Sequence, residues 1–199
     1  MKKILISLLG LILVIGLVGL GVFAYFSDKE TSNGNIFTAG TLDLNIDGGN
    51  TNVVKFTVAN MRPGNQPKGS YTLANVGTIN GFLDLENIVV ANAENGRLDP
   101  EIEAGDISDD VGELQNVVNL QLFLDYNGDG WISAGDNVFY NGLVKNLPGN
   151  FELNEPINAG SNVKIVALFD WWSTPNDNQA QSDSMTIDIT FELAQTTGQ

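Results

Sequence analysis

The residues best placed to do chemistry form one run, 125–136, which reads Asp-Tyr-Asn-Gly-Asp-Gly-Trp-Ile-Ser-Ala-Gly-Asp. Side-chain oxygens fall at its first, third, fifth, ninth and twelfth places, on Asp125, Asn127, Asp129, Ser133 and Asp136. Calcium is a hard cation that takes about six to eight oxygens, and a twelve-residue loop can supply most of them. Gly130 at the sixth place permits the sharp turn. The carbonyl of Trp131 at the seventh is the backbone ligand such a loop uses. The competing reading is an Asn/Asp/Gly-rich turn between two strands, which the same composition makes.

Other chemistry is narrowed by absences. The chain has no histidine and no cysteine. That removes the usual zinc ligand and general base, the two-histidine zinc helix, histidine triads and thiol nucleophiles together. A Ser–Lys dyad stays open, although no Ser-x-x-Lys spacing is read beyond the signal, and carboxylate pairs are expected by chance in so acidic a chain. Asp106, Asp109 and Asp110 could hold a second cation, although a solvated acidic loop is the simpler reading. Phe169, Trp171, Trp172 and Pro175 could stack on sugars or cap a core. Lys and Arg number 9 against 24 Asp and Glu, a formal net charge of -15. Such a surface repels nucleic-acid phosphates and anionic headgroups, so no nucleic-acid partner is expected.

The elements that would position these residues are strands. Met1-Lys2-Lys3 is a basic start, and Ile4 to Phe23 is apolar apart from Ser7 and glycines. This reads as a signal peptide, 1–24, cleaved between Ala24 and Tyr25. The alternative is a retained anchor, since about 20 apolar residues can span a bilayer. Contact with membrane is expected only through the uncleaved signal. Past it, apolar residues alternate with polar ones in segment after segment: Leu42-Leu44-Ile46, Val54-Phe56-Val58, Tyr71-Leu73, Val118-Leu120-Leu122-Leu124, Val163-Ile165-Ala167-Phe169 and Met185-Ile187-Ile189-Phe191-Leu193. Phe82 to Val90 reads as one long or bulged strand, and shorter strands are expected near Phe139–Val144 and Phe151–Leu153. Period two means one buried and one wet face per strand. The expected fold is therefore all-β, a two-sheet antiparallel sandwich of the jelly-roll type with eight to ten strands, spanning 41–199. An acidic insertion loop at 92–116 breaks the pattern, with room for a short helix near Pro100 to Ala104.

The stretch 25–40 stands apart. FSDKETSNGNIFTAGTLDL, directly behind the apolar leader, resembles the start of the TasA/camelysin family. NMRPGNQPKGSYTLANVGTINGFLDLENI and the closing DSMTIDITFELAQ resemble that family's loop-strand-turn pattern and last strand. Residues 92–150 carry no such likeness, and the loop at 125–136 is instead similar to the calcium loops of dockerin modules, where Asp at the twelfth place is normal. The resemblance implies a secreted jelly-roll subunit of biofilm-matrix fibres, similar to archaeal bundling pilins. It also implies processing by a SipW-type signal peptidase and head-to-tail homopolymers built by donor-strand complementation. The family's metallo-endopeptidase label finds no histidine here to support it.

An extended N-terminus of one copy can fill the open edge of the next, and because the contact is head-to-tail it propagates. Tyr25 and Phe26 are the expected anchors of this donor segment, with Ile36, Phe37 and Ala39 setting its register. Thr41 to Ile46 is expected as the fixed first strand. Two readings compete: a metalloendopeptidase, and a self-complete monomer that binds cell surfaces with calcium.

Overall fold

The computed structural model describes residues 40–172 and 177–198. The expectations for Ala24, Tyr25, Phe26, Ile36, Phe37, Ala39 and Pro175 fall outside them.

Nine strands are present among the described residues: β1 (Leu44–Ile46), β2 (Val53–Ala59), β3 (Lys68–Asn75), β4 (Gly81–Ala93), β5 (Val118–Asp125), β6 (Asn137–Leu143), β7 (Phe151–Ile157), β8 (Asn162–Trp171) and β9 (Ser184–Ala194). A single turn of helix, α1 (Asp99–Glu103), interrupts them. The strands form two sheets with orders β1-β3-β8-β5-β6 and β2-β9-β4-β7, and every pairing is antiparallel. This is the all-β two-sheet sandwich that the alternation requires. The pairs β2–β9, β3–β8, β4–β7 and β5–β6 follow a single nested pattern. Each later strand returns beside an earlier one, like one long hairpin ribbon wound on itself.

The period-two pattern survives residue by residue. Val54, Phe56 and Val58 are buried while Val53, Lys55, Thr57 and Ala59 are exposed. Met185, Ile187, Ile189 and Phe191 are buried along β9, and Val163, Ile165, Ala167, Phe169 and Trp171 along β8. The inner faces merge into one core. β4 is the long bulged strand: its register with β9 shifts between Glu86 and Val89, where Asn87 takes φ 47°.

The first strand is shorter than its pattern. Thr41–Ile46 was the expected span; only Leu44–Ile46 pairs as a strand, with Leu73–Asn75 of β3. The preceding residues are pinned to a turn instead. The Thr78 and Ile79 N–H groups donate to the Thr41 carbonyl, and the Val76 N–H donates to that of Asp43. Two glycines allow this close approach. A Cβ on Gly40 would lie 2.2 Å from Ile79 Cγ2, and one on Gly77 would lie 2.2 Å from the Thr41 oxygen.

Candidate functional site

Three features could carry function: the loop at 125–136, the acidic insertion, and an open seam of the sandwich. The loop leaves β5 at Asp125, the strand's buried last residue. Asp125 takes the Gly128 N–H on Oδ1 (2.6 Å) and the Gly130 N–H on Oδ2 (2.8 Å). Both glycines sit at positive φ, 78° and 76°, a conformation that glycine adopts without a Cβ penalty. The Asp129 N–H donates to Asn127 Oδ1 at 2.9 Å, and the Trp131 N–H to Asp129 Oδ1 at 2.7 Å. Asp136 closes the turn by accepting the Tyr126 N–H (3.1 Å), the Ser133 N–H (2.8 Å) and the Ser133 hydroxyl (2.9 Å). These hydrogen bonds favour the charged form and hold the Asp136 carboxyl below its ordinary range, even though desolvation, the largest single influence on it, acts in the opposite direction.

Two lysines on the outer face of the β1-containing sheet fasten the loop. Lys164 Nζ donates to the Gly128 carbonyl at 2.9 Å and lies 4.0 Å from Asp125 Oδ2. Lys68 Nζ donates to the Gly130 carbonyl at 2.9 Å and sits 3.9 Å from the centre of the Trp131 ring. All six expected ligand residues are thus in one turn, but much of their hydrogen-bonding capacity is met within the loop.

The insertion is where the sequence misled. Its helix is found, at Asp99–Glu103, but its acids are not simply solvated. Asp109 is exposed and paired with Arg97 at 2.8 Å, and Asp110 is exposed. Asp106 is buried, as are Glu101 and Asp183, the last lying just before β9. Carboxylate oxygens of Glu94, Asp106 and Glu113 lie within 4.8 Å of one another, and so do those of Glu94, Glu101 and Asp183. Some oxygens have donors. Glu101 accepts the Leu98 N–H, Asp106 Oδ1 the Ser108 N–H at 2.8 Å, and Asp183 Oδ2 the Glu113 N–H at 2.5 Å.

Six others in this nest are buried with no donor: both oxygens of Glu94, and one each of Glu101, Asp106, Glu113 and Asp183. Burial, reinforced by the charges of Glu94 and Glu113, pushes the Asp183 carboxyl up to about 7. Burial, then Asp106, Glu94 and Glu101, pushes Glu113 up to about 6. Glu101 is raised as well, by burial first. The available sequence signal was the balance of 94–113, eight acids against the single Arg97.

The seam lies between the edge strand β2 of one sheet and β3 of the other. In an antiparallel ladder, alternate residues turn their backbone groups to opposite sides. The Phe169 N–H donates to Pro67 and the Asn75 N–H to Ser161, so the odd residues of β3 serve β8. The even ones face away. Ala74 meets Asn45 of β1. Thr72 is met by Asp47, through its N–H (3.0 Å) and its side chain (2.7 Å). Past Thr72 the short β1 has ended, so the outward groups of Ser70 and Lys68 meet no strand among the described residues. Beside them opens a cleft of about 260 Å³ lined by Phe56, Val58, Tyr71 and Phe169, among others. Gly69 adjoins it: a Cβ there would lie 2.8 Å from Phe56 Cδ1. The opposite seam is closed by aromatic rings, with Phe151 of β7 5.1 Å from Phe139 and 6.0 Å from Tyr140 of β6.

Two other candidates dissolve. Phe169 and Trp171 are core residues, and Trp172 alone of that trio is exposed, so these three make no sugar-stacking platform. A Ser-x-x-Lys spacing does exist past the leader, Ser161 to Lys164. Ser161 lies in the connection before β8, and Lys164 is engaged by the loop at 125–136.

A sequence model of the camelysin metallo-endopeptidase family matches residues 1–125. The chain belongs to this family. A comparison with curated proteins finds no match. The camelysin match runs through the acidic insertion, where the sequence pattern shows no such resemblance, and stops at Asp125. It therefore includes Glu94, Glu101, Asp106 and Glu113 of the nest and excludes Asp183. The family description implies a metal. A catalytic zinc site keeps an open position for water or substrate and is usually built with histidine. This chain has no histidine, and Glu101, Asp106 and Asp183 are each at least nine-tenths buried. The nest suits a cation held for structure better than one that must reach a peptide bond.

Proposed function

We propose that this camelysin-family chain is a secreted structural subunit that polymerises into extracellular fibres, each copy lending its N-terminal segment to the open seam of the next. The supporting observation is the three-residue β1. β1 pairs only with Leu73–Asn75, and the chain then turns back on itself, Ile46 and Gly49 exchanging both backbone hydrogen bonds, which leaves the outward groups of Ser70 and Lys68 beside a cleft with Phe56, Tyr71 and Phe169 in its wall. An added strand would gain main-chain hydrogen bonds from that edge and specificity from side chains seated in the cleft.

The segment 25–39 is the proposed donor. It precedes Gly40, where the chain is fixed to the turn at 76–79, so a strand released upstream can reach outward while its own domain stays folded. Tyr25 and Phe26 are its proposed anchors, with Ile36, Phe37 and Ala39 in register. Cleavage between Ala24 and Tyr25 by a SipW-type signal peptidase would free it, and uncleaved signal would hold the chain at the membrane. The nested pairing of β2 through β9 supports the jelly-roll reading of the sandwich. Calcium belongs to the same proposal, held at 125–136 by Asp125, Asn127, Asp129, the Trp131 carbonyl, Ser133 and Asp136.

Deleting Tyr25–Ile36 tests the assembly. The shortened chain should fold and give no fibres by negative-stain microscopy, and fibres from it would refute the proposal. Ser70→Pro tests the acceptor. It removes an N–H that no β8 bond uses, so the fold should hold while fibre growth stops. The family name favours a second reading, a metallo-endopeptidase. Casein hydrolysis that co-purifies with the chain and stops on chelation would establish that activity.

A further inference from the structure

The structure assigns a second, buried cation site, independent of the loop at 125–136: Glu94, Glu101, Asp106, Glu113 and Asp183 form a nest for a hard divalent cation of the calcium class. The argument does not rest on acid content. Among the described residues, the other fully buried carboxylates have donors, and half-exposed Asp188, which keeps one buried oxygen without a donor, is paired with Lys55 at 3.3 Å. Asp84 accepts the Asn154 N–H at 2.8 Å. Asp125 accepts two loop N–H groups, and Asp170 accepts the Gln66 amide at 3.0 Å together with the Trp172 indole. Glu101 and Asp183 are 0% and 2% exposed and Asp106 6%, yet each keeps one buried oxygen with no donor at all. Buried carboxylates that share a site and lack donors are strongly unfavourable when ionised.

The number and kind of atoms name the ligand. Two triads of carboxylates, each with oxygens within 4.8 Å of one another, share Glu94, and six oxygens of the five residues are buried without a donor; calcium takes about six to eight oxygens, from carboxylates bound through one or both atoms. Magnesium fits less well, since it holds to a tight octahedron and keeps several waters. The absence of nitrogen and sulfur donors disfavours zinc. Glu94 is common to both triads, and both of its oxygens are free, so it is the shared ligand. The neighbouring cation, Arg97, has its guanidinium on Asp109 at 2.8 Å and on the Asp106 carbonyl at 3.4 Å.

The surroundings are built to hold these five groups in place. The Asn95 amide donates to the Ser182 carbonyl at 2.7 Å and the Gln179 amide to the Ala104 carbonyl at 2.9 Å, tying the insertion to the segment before β9. Gly112 has no room for a side chain, because a Cβ would lie 2.8 Å from the Ala93 oxygen and 2.9 Å from Asp183 Cγ. A bound ion would lock residues 94–113 onto the start of β9.

Calcium titration of the chelator-stripped full chain, followed by thermal unfolding and calorimetry, tests the site. Near-millimolar calcium should raise Tm by about 5–10 °C, with a smaller rise for magnesium. Glu94→Gln and Asp183→Asn should each weaken binding by more than about tenfold and remove most of that rise. Asp110→Asn, an exposed acid of the same segment, should leave both unchanged. Circular dichroism of the stripped variants checks that they fold. A calcium response that vanishes in Asp129→Asn and survives in Glu94→Gln would give the ion to the loop and overturn the nest. Absence of any calcium response in the wild type would also overturn it, leaving protons shared among the carboxylates as the means of neutralising them.

Discussion

The loop at 125–136 and the nest around Glu94 are both acidic, and they solve the problem of negative charge in opposite ways. In the loop, carboxylates receive hydrogen bonds from the turn's own backbone, and two lysines lie across it. In the nest, carboxylates are drawn from five places in the chain, grouped in two triads, and each keeps at least one buried oxygen without a donor. The loop's shape is therefore held by its own hydrogen bonds. In the nest, burial raises the Glu101, Glu113 and Asp183 carboxyls and so disfavours their charged form. Resemblance to a calcium motif and a shortage of donors for buried carboxylates thus fall on different regions of this molecule.

Stripping divalent ions from the wild type is the largest test of that contrast. With an ion at about a hundred times its dissociation constant, linkage contributes about 2.7 kcal/mol, and its removal should lower Tm by about 5–10 °C in a domain of this size. Next in size is a change of sign. In chelator, Glu94→Gln should be more stable than the wild type by about 1–2 kcal/mol, because one buried, unpaired negative charge has been replaced by a neutral group of the same shape. In calcium it should be the less stable of the two. Parallel unfolding curves with and without chelator check both. If Glu94→Gln is destabilised equally in the two conditions, the nest is an ordinary packing site.

The two regions also differ in how far the sequence revealed them. The loop is one contiguous run with fixed spacing, so its residues could be named from the sequence alone. The nest's residues lie at 94, 101, 106, 113 and 183, and only the return of the ribbon brings Asp183 beside the insertion. No periodicity connects them. The sandwich itself was legible, because alternation such as Met185 to Leu193 reports directly which face is buried. The length of β1 was not. Leu42, Leu44 and Ile46 alternate evenly, but Thr41 and Asp43 bond to a turn, and hydrophobic pattern does not register what a backbone group pairs with. The open edge of β3 lies at the other end of β1, where the chain turns back between Ile46 and Gly49.

A smaller effect isolates the loop's charge. Asp129→Asn keeps an oxygen for the Trp131 N–H (2.7 Å) while removing the charge that a cation would use. If calcium binds the loop, this variant should lose about 0.5–1.5 kcal/mol in calcium and almost nothing in chelator, by thermal unfolding. Equal curves in both conditions would leave 125–136 as a hydrogen-bonded turn, and would sharpen the contrast with the nest to its limit.

The smallest expected effect concerns Lys164. Its ammonium lies 4.0 Å from Asp125 Oδ2 and is bonded to the Gly128 carbonyl, so it offers the loop part of the neutralisation that an ion would supply. Lys164→Met keeps most of the side chain's bulk and deletes the charge. Stability in chelator should fall by no more than about 1 kcal/mol, the usual worth of a partly exposed pair. Calcium affinity at the loop should rise severalfold, because two positive charges no longer compete for Asp125. Calorimetry in a Glu94→Gln background reads the loop without the nest. An affinity that does not rise there would mean that the lysine holds the turn together without competing with an ion, and the loop would then be a turn that only resembles a metal site.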